Sequence, residues 1–132
     1  MSDSPQAYSE LTRRYFDAPV NVGVLQGLGV GSAEAGSLAE GTWVRFHVQI
    51  LHDTVTAARF NAFGCPHLIA AASWLTESTA GTRAVAALPE PAPALLRRFG
   101  MPAEKLGRVL LIEDAWIAAI RAAITKSRAA LD

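Results

Sequence analysis

The sequence predicts an α+β fold in which helices pack on one face of a small antiparallel sheet. Two adjacent segments of alternating apolar and polar residues, 42–50 and 54–63, predict a pair of strands. Most of the helical patterns follow them in the chain. With 132 residues, of which 51% are apolar and 18% charged, the chain is long enough to bury a core, and we expect one domain over residues 1–132.

The N-terminal third is predicted to hold a short helix and a long loop. Residues 5–16 carry apolar side chains at helical spacing, namely Tyr8, Leu11, Tyr15 and Phe16. Residues 21–41 contain six glycines and show no sustained periodicity. We therefore expect a loop there, with one short strand near Val22 to Leu25.

The two alternating segments predict an antiparallel hairpin. One face of the first segment consists of Thr42, Val44, Phe46, Val48 and Ile50. Residues 51–53 form the tight turn, and residues 54–63 return as the second strand. His47 falls on the polar face and His52 in the turn, so both are expected to be ordinary surface residues.

After the hairpin, the residue pattern becomes typical of helices. Residues 66–80 predict one helix that starts at a proline and stops at Gly81. Thr82 is placed to cap a short helix that extends through Leu88. Residues 89–93 contain three prolines and form a stiff connector.

The C-terminal part predicts two further helical segments. Residues 95–99 form one or two turns, and the last helix covers about residues 103–130 with a break near Gly107. Its predicted core face consists of Leu106, Leu110, Ile117, Ile120 and Ile124.

Charge and composition exclude several classes of partner. Twelve basic and twelve acidic residues cancel, so neither nucleic acid nor an anionic membrane is expected as a partner. Residues 1–6 lack the pattern of a signal peptide, and no segment has the length of apolar residues that spans a bilayer. The single cysteine cannot form an internal disulfide, which fits a reducing compartment. From these three observations together we expect a cytoplasmic protein. The high apolar content favours self-association into a homo-oligomer.

Cys65 is the principal candidate for chemistry. It is the only cysteine, and Pro66 after it opens the helix, so the thiol lies beside free backbone N–H groups at the positive end of the helix dipole. This position favours a thiolate that binds metal or receives sulfur. The alternative is a small buried hydrophobic side chain without a chemical role.

His67 is the nearest candidate for a second metal ligand. Cys65 and His67 are close in sequence, but a spacing of two on a helix directs side chains apart. His67 is therefore either a weak metal co-ligand or a partly exposed polar residue in the first helical turn. No serine, histidine and aspartate arrangement predicts a hydrolase, and the glycines at residues 27–31 lack the lysine of a phosphate-binding loop. We therefore expect that the protein is not an enzyme.

Three motifs resemble the iron–sulfur cluster assembly scaffolds of the NifU N-terminal-like or IscU-like family. Residues 19–23, Pro-Val-Asn-Val-Gly, are similar to the family's Pro-Arg-Asn-Val-Gly. Residues 58–65 run Ala-Arg-Phe and then Phe-Gly-Cys, as in the family. Residues 113–120 are similar to the family's Glu-Asp-Ala-Ile-Lys-Ala-Ala-Ile helix. The resemblance extends from about Tyr8 to Ile124 and implies the α+β fold of these scaffolds.

The ligand set departs from the family pattern. Members hold a cluster or zinc with three cysteines and usually an aspartate, some with a histidine. The resemblance assigns Cys65 to the second cysteine. Ala35 and Ser37 take the places of the first cysteine and the aspartate, while Gly107 and Arg108 replace the histidine and the third cysteine.

Coordination chemistry then limits the cofactor. A [2Fe–2S] cluster or a structural zinc ion needs four ligands, normally thiolate or imidazole, and Cys65 supplies one. We therefore expect no cofactor within a single chain, although the resemblance implies an iron–sulfur cluster or zinc for the family.

The resemblance implies a scaffold-like role with a degenerate ligand site. The protein would act through contacts with a cysteine desulfurase or other iron–sulfur assembly proteins, with Cys65 carrying sulfur as a persulfide. One alternative is a cluster or metal bridged between two chains by their Cys65 thiolates and external thiols such as glutathione. Another is a metal-free regulatory or interaction module.

Overall fold

The computed structural model of the chain describes residues 8–131, and it has the predicted α+β architecture. The elements in chain order are α1 (Glu10–Asp17), β1 (Val30–Ser37), β2 (Thr42–Leu51), β3 (Thr54–Phe63), α2 (Pro66–Thr79), α3 (Ala92–Arg98) and α4 (Leu106–Leu131). A 3₁₀ turn, Ala103–Lys105, leads directly into α4.

The three strands form one antiparallel sheet in the order β1-β2-β3. β2 is central, and its inward residues Val44, Phe46, Val48 and Ile50 are buried as predicted. The core lies between this face and helices α2 and α4, where Trp116 contacts Phe46 edge to face with ring centroids 5.2 Å apart. One face of the sheet is thus covered by helices, and the other carries polar side chains.

The predicted hairpin of β2 and β3 is confirmed. His52 and Asp53 form its turn with φ angles of 52° and 60°. Two consecutive residues with positive φ are typical of the turn whose twist matches that of the flanking strands. His52 is exposed, as expected for a residue in this turn.

The prediction for residues 21–41 was wrong, because β1 lies within the expected loop. Val22 makes only an isolated parallel bridge to Phe60 and belongs to no strand. β1 lacks the β-branched pattern that predicts a strand, since six of its eight residues are Gly, Ala or Ser. These small residues allow α4 to approach closely: a Cβ placed on Gly31 would overlap the backbone nitrogen of Ala123.

Helix α1 begins later than predicted. Ser9 caps it, because its Oγ accepts a hydrogen bond from the Thr12 backbone nitrogen at 3.1 Å. Ser9 Oγ also donates to the Phe99 carbonyl at 2.7 Å, which ties α1 to the end of α3. The first residues of the predicted helix, 5–7, lie outside the described part of the chain.

The predicted helix from Thr82 to Leu88 does not form. The segment instead adds to the start of β3: the Val55 nitrogen donates to the Thr82 carbonyl at 2.9 Å, and Arg83 bridges to Thr54. These bonds to a distant strand satisfy backbone groups that a local helix would have satisfied within itself.

Helix α4 is continuous from Leu106, without a break at Gly107, and its core face differs from the predicted one. Leu110 is 43% exposed, whereas Ile120 is buried as expected. The buried face consists of Val109, Ile112, Ala115, Trp116, Ala119, Ile120 and Ala123. Alanines at every fourth position bring the helix backbone close to β1.

Among the described residues, no helix combines the length and the apolarity that crossing a bilayer requires.

We expect Gly31→Ala to destabilise the protein by about 2 kcal/mol, because the added methyl group has no space against the α4 backbone. Gly107→Ala is the matched control. A Cβ at Gly107 would meet open space, so the same change there should be neutral or stabilising by up to about 1 kcal/mol. Urea unfolding midpoints measure both changes, and equal midpoints for the two variants would contradict the proposed contact.

Candidate functional site

Cys65 lies at the N-cap of α2. β3 ends at Phe63, Gly64 follows, and Pro66 occupies the first helical position. Cys65 has an extended backbone (ψ 163°), and its carbonyl accepts hydrogen bonds from the nitrogens of Leu68 and Ile69 at 3.1 and 3.3 Å. The thiol is half-buried and in no disulfide. It is therefore accessible and close to the N-terminus of a helix.

The surroundings of the thiol favour its ionised form. Burial raises the pKa of Cys65, but the His67 side chain, the backbone N–H groups of Leu68 and His67, and the Lys105 cation together lower it. The net effect is a pKa lowered to about 7. A large part of Cys65 is therefore thiolate at neutral pH, and thiolate is the nucleophilic form. Sequence reasoning did not identify Lys105, because only the tertiary fold brings it near Cys65.

His67 is buried, contrary to the expectation of a partly exposed residue. Its side chain is only 5% exposed, and its ring packs edge to face against Tyr8 with centroids 4.8 Å apart. Within residues 8–131, neither ring nitrogen has a hydrogen-bond partner. Cys65 precedes the first helical residue, so the divergence expected for two residues on one helix does not apply. The imidazole is close enough to influence the thiol.

The positions predicted as former ligands on β1 lie at its C-terminal end. Ala35 is half-buried and contributes to the edge of the core. Ser37 ends the strand, and its Oγ donates to the Glu40 carboxylate at 3.2 Å and accepts from the Glu40 nitrogen at 3.1 Å. Gly36, between them, has a φ of 84°, and a Cβ there would overlap the Thr42 carbonyl oxygen. Glycine is thus required where β1 turns into β2.

Gly107 and Arg108 meet this end of β1 at the start of α4. They share a cavity of about 250 Å³ with Gly36, Glu40, Thr42 and Leu111. The Arg108 Nε is buried and, within the described chain, has no hydrogen-bond partner. The loop before Cys65 passes the same turn, since a Cβ on Gly64 would lie 3.7 Å from the Gly41 carbonyl oxygen. The fold therefore gathers Ala35, Ser37, Gly107 and Arg108 at one end of the molecule, with Cys65 beside it.

These residues do not fit a four-ligand metal site. In the part of the chain that the structure describes, no three Cys, His, Asp or Glu side chains are grouped so that they could hold a metal ion. Ala35 offers a methyl group, and Arg108 brings a permanent positive charge that repels metal cations. The atoms at this end of the molecule that could bind a metal include the Cys65 sulfur, the His67 ring nitrogens and the Glu40 carboxylate.

His47 was wrongly expected to be a surface residue. It points to the polar face of the sheet, yet it is only 5% exposed, and its Nε2 lies 3.2 Å from Asn61 Oδ1. Burial lowers the pKa of His47, so the neutral imidazole is favoured. His47 is enclosed because β2 is the central strand, with Ser32 and Arg59 opposite it on the two sides. It lies on the face opposite the core and is no part of the Cys65 site.

The chain matches the family model described as NifU-like N terminal domain over residues 7–129. It is 32% identical over 117 residues to the iron-sulfur cluster assembly scaffold protein IscU of Rickettsia prowazekii, covering 86% of this chain and 89% of that protein. It is 31% identical over 118 residues to the mitochondrial iron sulfur cluster assembly protein 1 of Debaryomyces hansenii, covering 86% of this chain and 66% of that protein. The chain thus spans slightly less than two thirds of the latter.

The fold is also similar to that of a solved structure. The crystal structure of a NifU-like protein (N-terminal) from Brucella abortus aligns with a TM-score of 0.70 at 18% identity, covering 89% of this chain and 94% of that one. At this identity, the likeness supports the fold alone.

We expect the rate of Cys65 alkylation by iodoacetamide to rise with pH around a midpoint of about 7, because only the thiolate reacts. Lys105→Met removes a cation that favours the thiolate, so the midpoint should move to higher pH. Lys126→Met, an exposed position on α4, is the control and should leave it unchanged. A wild-type midpoint near 9.0, the ordinary value, would contradict the assigned environment.

Proposed function

Because the chain belongs to the NifU-like N-terminal domain family of iron–sulfur cluster assembly scaffolds, we propose that it serves cluster assembly as a sulfur-accepting, scaffold-like protein. In this proposal Cys65 is the acceptor, and the protein holds no cluster by itself. Its partners are a cysteine desulfurase or another assembly protein that carries sulfur. The predicted cytoplasmic location and the single domain over residues 1–132 are parts of this proposal.

The observation that carries the proposal is the half-buried Cys65 thiol with its pKa lowered to about 7. A thiolate at a helix N-cap can attack a sulfur atom that a partner presents. Half burial leaves one side of the sulfur open to such a partner. A cysteine that served only to fill the core would not require neighbouring groups that stabilise its thiolate.

The proposed step is a sulfur transfer between thiols. The Cys65 thiolate attacks the terminal sulfur of a persulfide on the donor protein. A new sulfur–sulfur bond forms on Cys65, the bond within the donor persulfide breaks, and the donor cysteine leaves as a thiolate. The exchange between the two cysteines therefore needs no external oxidant or reductant. Lys105 and the α2 N-terminus, which lower the pKa of the thiol, would also stabilise the negative charge on the Cys65 persulfide.

Arg108 supports a role without a cluster bound in one chain. In this proposal Arg108 takes the position of the family's third cysteine, and its guanidinium is a permanent cation. With Ala35 and Ser37 in the other ligand places, a single chain offers one thiolate where a cluster needs four ligands.

A cluster bridged between two chains is the second candidate. Cys65 is half-buried, and two large apolar side chains at the same end of the sheet, Leu38 and Phe63, are exposed. Two copies that meet through this end would bring two thiolates together, and external thiols would supply the remaining ligands. A metal-free regulatory module would need neither metal nor sulfur on Cys65.

We expect the purified chain to gain one sulfur atom when it is incubated with a cysteine desulfurase and cysteine. Mass spectrometry of the intact chain measures the adduct, which a reducing agent should remove. Cys65→Ser should show no adduct, and it is a conservative change at a position without a hydrogen-bonded cap. If the wild-type chain stays unmodified while another acceptor in the same mixture gains sulfur, the sulfur-accepting role is wrong.

We expect Ala35→Cys, Ser37→Asp and Arg108→Cys in one chain to create tight zinc binding, because together with Cys65 they would restore three thiolates and a carboxylate. Native mass spectrometry of protein purified without oxygen should then show one zinc ion per chain, against none for the wild-type chain. Wild-type protein with one metal centre per two chains, lost in Cys65→Ser, would support the bridged alternative instead. One metal ion bound tightly by a wild-type single chain would exclude the degenerate site.

A further inference from the structure

The segment between α2 and α3 borders an open cavity at the end of the sheet opposite to Cys65. Hydrogen bonds tie this segment to the hairpin: Gly81 nitrogen to Val55 carbonyl (2.7 Å), and Ala84 nitrogen to Asp53 carbonyl (2.8 Å). Beyond Ala84 the segment passes across α4 before α3 begins. Val55 and Cys65 are ten residues apart along an extended strand and its exit, a separation of about 30 Å.

The cavity has a volume of about 240 Å³ and a largely apolar wall. Its lining consists of Val55, Thr79, Thr82, Arg83, Val85, Ala87, Leu88, Pro89, Trp116 and Ile120. Val55, Trp116 and Ile120 are each 1% exposed and form the floor of the cavity, whereas Thr82, Arg83 and Val85 are exposed at its open side. Since one water molecule occupies about 30 Å³, the space corresponds to about eight waters or a ligand of about eight heavy atoms.

Two of the four polar side chains in the lining, Arg83 and Trp116, are donors without a partner within the described chain. Among the described residues, the Arg83 guanidinium has no hydrogen bond or ion pair, and the indole N–H of Trp116 likewise has no hydrogen-bond acceptor. The hydroxyl protons of Thr79 and Thr82 are already donated, to the Leu75 and Thr79 carbonyls, both at 2.6 Å. Of the residues that line the cavity, none is an Asp or Glu. In the part of the chain that the structure describes, the lining therefore holds two donors without a partner, one of them positively charged, and no anionic side chain to neutralise that charge.

We propose that this cavity binds a small carboxylate with an apolar body, of the size of hexanoate. The carboxylate would accept from the Arg83 guanidinium, which suits a planar anion, and from the Trp116 N–H. The alkyl part would pack against Val55, Leu88 and Ile120, and this contact would remove its apolar surface from water. The proposal concerns a site separate from Cys65 and does not depend on sulfur transfer.

Titration with hexanoate tests the proposal through the indole N–H signals of the ¹⁵N-labelled chain. The chain has three tryptophans, so the Trp116 signal is the one that is present in both the Trp43→Phe and the Trp74→Phe single variants. We expect a saturable shift of this signal in the wild-type chain. Arg83→Gln should weaken binding at least about tenfold, the cost of losing a charge-assisted hydrogen bond.

Two controls separate recognition of the anion from general apolar binding. Hexanamide has the same shape without the charge and should bind wild-type protein about as weakly as hexanoate binds Arg83→Gln. Arg13→Gln, on exposed α1, should bind hexanoate like the wild-type chain. Ala87→Phe, which adds bulk to the cavity wall, should abolish the shift while Arg83 is intact. An absent or non-saturable shift, equal binding of hexanamide, or unchanged binding by Arg83→Gln would overturn the proposal.

Discussion

The close approach of β1 to α4 is the constraint on which the rest of this structure depends. Gly31 touches the α4 backbone at Ala123, and the alanines of α4 leave no side chain between helix and strand. At the other end of β1, a Cβ on Gly36 would lie 3.0 Å from the Leu111 side chain. This packing fixes the strand against the start of the helix, so Gly36, which lies between Ala35 and Ser37, shares a small cavity with Gly107 and Arg108. The candidate site is therefore a consequence of core packing.

The chemistry of Cys65 results from a balance between burial and local charge. Burial by itself would keep the thiol protonated, but the helix N-terminus, His67 and Lys105 favour the thiolate more strongly. Positive charge around a lone thiolate suits the acceptance of sulfur, because it stabilises both the thiolate and the persulfide. The same charge disfavours metal cations, which need several anionic ligands instead.

The fold and the ligand positions that the resemblance implies depend on different residues, so the proposed degenerate site is compatible with an intact fold. Gly36 is required by backbone geometry, since any side chain would overlap the Thr42 carbonyl. Its neighbours Ala35 and Ser37 carry no such requirement. A ligand side chain contributes to folding mainly through the metal that it holds. In the proposed function, which holds no metal within one chain, Ala35 and Ser37 are therefore under no requirement to be ligands.

The sequence by itself determined the hairpin, the start of α2 and the N-cap position of Cys65, because these depend on alternation, on turn residues and on proline, which act locally. The family motifs predicted the fold, and the assignment of Ala35, Ser37, Gly107 and Arg108 to the family's ligand positions stays a prediction from those motifs. Only the tertiary structure decided that residues 30–37 form a strand, that residues 82–88 do not form a helix, and that His47 and His67 are buried. Each depends on contacts between segments distant in the chain, and such contacts leave no periodic pattern within the segment itself.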